Sequence, residues 1–89
     1  MTLAFMIKVR NEKLIKAFGA RVRKLRNERK ISMEELAYRA NVDYSQIGNI
    51  ERGEINTTIS SAYALAKALD MPLEELFKFE FNEDKKGNP

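Results

Sequence analysis

The chain contains no cysteine and no histidine. Without cysteine it has neither a disulfide framework nor a thiolate metal site, which suits a reducing cytoplasm. Without histidine the commonest general base and the commonest metal ligand are both missing. Carboxylates remain, but their spacing brings no acid–base pair together. The chain therefore reads as a non-enzyme with no metal and no cofactor. Long hydrophobic runs are absent too. Leu3 to Ile7 is apolar, but Lys8 and Arg10 cut it short. That run is shorter than the core of about 7 to 15 residues in a signal peptide, and far shorter than a membrane span. Neither export nor a membrane partner is expected, and the location read from this is the cytoplasm.

What is present is one small domain of 89 residues. A domain this size buries only about 60 to 65% of its unfolded surface, so dimerisation is an economical way to add buried area. The formal charge of +3 hides an asymmetry. Residues 1–31 carry ten Lys/Arg against two acids, a balance of +8, and residues 32–89 carry six against eleven, a balance of −5. A lopsided basic domain fits a nucleic-acid partner.

Along the chain, residues 1–12 form an N-terminal extension. Its apolar start is compatible with a short strand, a helical extension or a disordered leader. Residues 13–77 form the body, and residues 78–89 a C-terminal segment with a frayed polar tail. Asn11 and Glu12 make a helix start. Leu14, Phe18, Val22 and Leu25 then recur as one apolar stripe, with Gly19 inside it as a weak point. Ser32 with Glu35, and Asp43 with Gln46, have the spacing of two capping boxes. Between them Asn41 suits a left-handed turn and Val42 an apolar plug. Ile47 and Ile50 face inward, while Tyr44, Ser45, Gly48, Asn49 and Arg52 form an outer face, and Gly53 ends that helix. Two capped helices joined by so tight a turn have the form of a helix-turn-helix. A fourth helix is expected from Ile59 to Leu69, capped by Thr58, with Ile59, Ala62, Leu65, Ala66 and Leu69 inward. A fifth begins near Pro72, with Leu73, Leu76 and Phe77 as its apolar face. Phe77, Phe79 and Phe81 alternate with charged residues in strand fashion.

Leu25 to Gly53, L-R-N-E-R-K-I-S-M-E-E-L-A-Y-R-A-N-V-D-Y-S-Q-I-G-N-I-E-R-G, resembles the Cro/C1-type helix-turn-helix of phage repressors and restriction-modification controller proteins. Ala64 to Phe77, A-L-A-K-A-L-D-M-P-L-E-E-L-F, is similar to the last two helices of that family. The resemblance implies an all-α, compact, five-helix, lambda-repressor-like domain, with short terminal strands as an option. It also implies a transcriptional regulator that binds double-stranded DNA as a homodimer on an inverted repeat, with residues 44–52 as the recognition helix. Tyr44, Ser45, Gln46 and Asn49 would read base edges, Asn49 in bidentate fashion on adenine. Phosphate would be held at Ser32 and Met33 by the helix N-terminus, with Arg52 and Asn56 as helpers. Met33 stands where the family usually has glutamine, so a side-chain contact is expected to be missing there. Arg26 and Glu51 match the family's structural ion pair. Leu73, Leu76 and Phe77 match its usual dimer interface, and Phe79 and Phe81, with Leu3 to Val9, offer another route to a dimer. Glu34 and Glu35 lie where some relatives touch RNA polymerase. The alternative is an antitoxin or protein-interaction module on the same fold.

Overall fold

A computed structural model describes residues 9–82 of the chain. Five helices follow one another: α1 (Glu12–Glu28), α2 (Met33–Ala40), α3 (Tyr44–Glu51), α4 (Ile59–Ala68) and α5 (Leu73–Leu76). No strand occurs among the described residues. Phe77, Phe79 and Phe81 therefore do not form the alternating strand their pattern suggests. Phe77 instead stacks on Phe18 with ring centroids 5.3 Å apart, and Phe79 tilts against Phe77 at 6.4 Å. A strand through Leu3–Ile7 lies outside the described residues, and Val9 is irregular and exposed.

The core is wholly apolar among the described residues, and Val22, Leu36, Ile47, Leu65, Leu69 and Leu76 are completely enclosed in it. α1 packs on α3, α2 on both α3 and α4, and α5 on α4. Ile15, not Leu14, belongs to this core. At 3.6 residues per turn, Ile15 lies about 20° from Val22 around the helix and Leu14 about 80° away on the other side. Leu14 is left on the rim. Gly19 is buried where α1 crosses the end of α3. A Cβ there would stand 2.2 Å from the carbonyl oxygen of Ile50 and 2.9 Å from that of Glu51. The glycine that weakens the helix locally is what allows the two backbones to meet. Ile59, the first residue of α4, is 79% exposed and takes no part in the core.

Helix starts follow the expected residues with two exceptions. Asn11, Ser32 and Thr58 each accept a backbone N–H three residues on, at 3.0 Å. The reciprocal half of the first capping box is not made, because Glu35 accepts from Arg39 at 2.9 Å, one turn along α2. That i,i+4 ion pair outcompetes the reach back to Ser32. Asp43 makes no side-chain cap at all, since its backbone carbonyl already takes the N–H groups of Gln46 and Ile47. Its carboxylate still favours the positive end of the α3 dipole.

Four of the five helix ends share one geometry. Lys30 (φ 56°), Asn41 (φ 59°), Gly53 (φ 73°) and Asp70 (φ 61°) are left-handed. In each case the next residue donates its N–H five residues back: Ile31 to Arg26, Val42 to Ala37, Glu54 to Asn49, and Met71 to Ala66. These are Schellman ends, which satisfy orphan carbonyls and reverse the chain within a few residues.

Candidate nucleic-acid interface

α3 is oriented by its buried side. Ile47 and Ile50 are enclosed in the core, which turns Tyr44 and Ser45 outward as exposed residues and leaves Gln46 and Asn49 half-buried beside them. Val42, packed against the core, sets the angle at which α3 leaves the turn. Gly48 lies on the same side of α3 as Tyr44 and Ser45, but it is covered there by other side chains. A Cβ at Gly48 would lie 2.9 Å from Arg52 Nη1 and 3.3 Å from Met33 Cε. The side chain that replaces the family's glutamine therefore packs on the middle of α3.

Arg52 does not extend freely. Its Nε donates to Glu54 Oε2 at 2.9 Å, and its Nη2 donates to Asn49 Oδ1 at 2.7 Å and to Glu54 Oε1 at 3.3 Å. Hydrogen bonding to Glu54 pushes the guanidinium pKa further up, and hydrogen bonding to Arg52 pulls the Glu54 carboxyl below the ordinary carboxylate range. Nothing in the spacing E-R-G-E marked Glu54 as a partner of Arg52. The left-handed turn at Gly53 folds one back on the other.

The N-terminus of α2 carries Ser32 and Met33. The Ser32 hydroxyl is taken by the Glu35 N–H at 3.0 Å, and the first-turn N–H groups of the helix lie beyond the reach of intrahelical acceptors, as in any α-helix. Asn56 does not join this cluster. Its amide donates to the Val9 carbonyl at 3.5 Å, on the wall of a separate groove.

Arg26 and Glu51 form a two-pronged pair between α1 and α3, Nε to Oε2 at 2.7 Å and Nη2 to Oε1 at 3.0 Å. Arg26 Nη1 also donates to the Ile31 carbonyl at 2.9 Å. The side chains are 11% and 5% exposed, and the hydrogen bond to Glu51 raises the Arg26 pKa. Two further arginines of the basic residues 1–31 also bond within the fold. Arg21 donates to the Glu75 carbonyl at 2.7 Å, at the end of α5, and Arg29 donates to the Leu69 carbonyl at 2.8 Å, at the end of α4. Charge counting could not separate these from Arg23, Lys24 and Lys30, and Arg29 stays exposed as they are.

Of the residues expected at a dimer interface, Leu76 is completely buried and cannot reach a partner. The four-residue α5 presents it straight to the core. Leu73 and Phe79 are partly buried against that core, and Phe77 is 48% exposed. Phe77 borders an apolar groove of about 290 Å³, with Leu14, Phe18 and Ile59 among its other walls. No helix among the described residues is long and apolar enough to cross a membrane.

The helix-turn-helix family profile matches residues 22–76. The immunity repressor of Bacillus phage phi105 is 34% identical over 58 residues, 65% of this chain and 40% of the repressor. The control protein C.SmaI of Serratia marcescens is 40% identical over 55 residues, 62% of this chain and 66% of that protein. The chain thus spans from 40% to 66% of the length of these curated relatives. Among solved structures, the restriction-modification controller protein C.AhdI from Aeromonas hydrophila is 42% identical, with a TM-score of 0.68 over 72% of this chain and 96% of its own. The controller protein C.Esp1396I, solved as a tetramer with its natural 35 base-pair operator, is 31% identical, with a TM-score of 0.72 over 76% of this chain and 90% of its own.

Proposed function

The chain belongs to the helix-turn-helix family, and from that premise we propose that it is a transcriptional regulator that binds double-stranded DNA sequence-specifically. The observation that carries the reading is the orientation of α3. Its apolar side is locked in the core by Ile47 and Ile50, while Tyr44, Ser45, Gln46 and Asn49 are turned toward the space a major groove would fill. A helix held in this way can present base-reading groups without first paying for their order. That C.Esp1396I, 31% identical, was solved with its operator supports a DNA partner for this chain.

Residues 13–77 are the DNA-binding body, flanked by the extensions 1–12 and 78–89. The N-terminal turn of α2, at Ser32 and Met33, holds phosphate through backbone N–H groups. One α3 reads only a few base pairs, so binding is dimeric and the operator is an inverted repeat, with the two α3 helices about 34 Å apart. Leu73, Phe77 and Phe79 contribute to the dimer, and the exposed Leu14 and Ile59 beside Phe77 extend the same apolar face. The protein acts in the cytoplasm and catalyses nothing.

Selection of bound duplexes from a random DNA pool tests this reading. A palindromic motif with half-sites one helical turn apart is the expected result. Failure to enrich any sequence would sink it.

A further inference from the structure

Arg52, Asn49 and Glu54 form one linked unit at the end of α3, and the atoms it leaves over are unequal in kind. A guanidinium can only donate, so the Asn49 atom that meets Arg52 Nη2 at 2.7 Å is its amide oxygen. The Nε/Nη2 fork of Arg52 is engaged by Glu54, at 2.9 and 3.3 Å, so it is not open to a phosphate. Its Nη1 lies over Gly48, where a Cβ would come within 2.9 Å. The atoms of the unit left without a hydrogen bond among the described residues are the Asn49 amide nitrogen and Arg52 Nη1, and both are donors.

From this geometry we infer that Glu54 is a specificity-determining positioning residue: through Arg52 it turns the Asn49 amide so that α3 selects guanine, not adenine, at the base pair Asn49 meets. Bidentate pairing with adenine needs the amide oxygen to accept from N6 while the nitrogen donates to N7. Here a lone pair of that oxygen is taken, and a guanidinium beside it opposes the adenine amino group. Guanine offers O6 and N7, two acceptors that match two donors. Arg52 and Glu54 are 57% and 53% exposed in their side chains, where such pairs contribute little to folding. Replacing either leaves the fold intact and changes what is read.

The inference rests on the DNA-binding reading, and its test keeps the two apart. The full chain and its Arg52→Ala, Glu54→Ala and Asn49→Ala variants are titrated on duplexes that change one base pair at a time within the selected site. At one position per half-site the unaltered chain is expected to prefer guanine to adenine by about tenfold. Arg52→Ala and Glu54→Ala erase or invert that preference and leave other positions unchanged. Asn49→Ala abolishes it, and adding Glu54→Ala to Asn49→Ala has no further effect. Glu54→Gln, which keeps an acceptor at the same reach, retains part of the guanine preference. An adenine preference in the unaltered chain at the Asn49-dependent position would overturn the inference while leaving DNA binding intact. So would variants that weaken all duplexes alike, or that change none. A chain that enriches no sequence at all overturns both readings together.

Discussion

Arg26 holds three acceptors at once, both oxygens of Glu51 and the Ile31 carbonyl. Removing it strands a nearly enclosed carboxylate between α1 and α3, so Arg26→Ala should cost about 3 kcal/mol. Replacing the pair together by Met and Leu should cost clearly less than either single change, because no charge is left unpaired. Urea melts of the three variants give the comparison. Gly19→Ala makes the opposite kind of test. Alanine is the better helix former by about 1 kcal/mol, yet its Cβ would stand 2.2 Å from the Ile50 carbonyl. The clash should win, with a net loss of about 2 to 3 kcal/mol in the same melts. The pair of Arg26 with Glu51 could be matched to a family pattern in the sequence. The reason for Gly19 could not, because it depends on a backbone crossing that local propensity does not register. Arg52 and Glu54 stayed hidden for the same reason, as residues two apart that only the turn at Gly53 brings face to face.

At the scale of elements, helix starts and the inward residues of α2 and α3 were legible, since periodicity and N-cap chemistry are local. Three features were not. Leu14 and Ile59 are apolar and at helical spacing, but they lie at the margins of their helices, where no other described element covers them. Glu35 had two possible partners one turn apart, and sequence spacing alone does not choose between them. Helix ends were legible only where the residue advertises a left-handed backbone, as Asn41 and Gly53 do. Lys30 does not, yet it adopts φ 56°, a conformation that costs an ordinary residue about 1 kcal/mol or more. Lys30→Gly should therefore stabilise the protein by about 1 kcal/mol and raise the melting temperature by about 4 to 8 °C. Calorimetry reads this directly, and an unchanged or lowered melting temperature would show that the lysine stem contributes more by packing than its backbone loses.

For the whole molecule the excess of positive charge in residues 1–31 overstates what is offered to a polyanion. Arg26 is paired with Glu51 and Arg21 with the Glu75 carbonyl within the fold, so attraction to a polyanion falls to the exposed cations and the helix ends. If a dimer neutralises about eight phosphates, log K should fall with log salt at a slope of about −7. Binding that hardly responds to salt would contradict a phosphate-based footing. The four left-handed helix ends act at this scale as well. By closing each connection within a few residues they keep the most extensive pairings between helices adjacent or next but one in the chain, while Phe18 with Phe77 and Arg21 with Glu75 tie α1 to the far end; loop-closure entropy opposes only these last contacts strongly. Helical domains rich in local contacts fold in microseconds to milliseconds. Two of the extensive pairings reach over an intervening helix, α1 with α3 and α2 with α4. Of these, α1 with α3 also needs a backbone crossing and a two-pronged ion pair to fall into register. The docking at Gly19 and Arg26 is on this account the step that converts a string of local turns into one cooperative body.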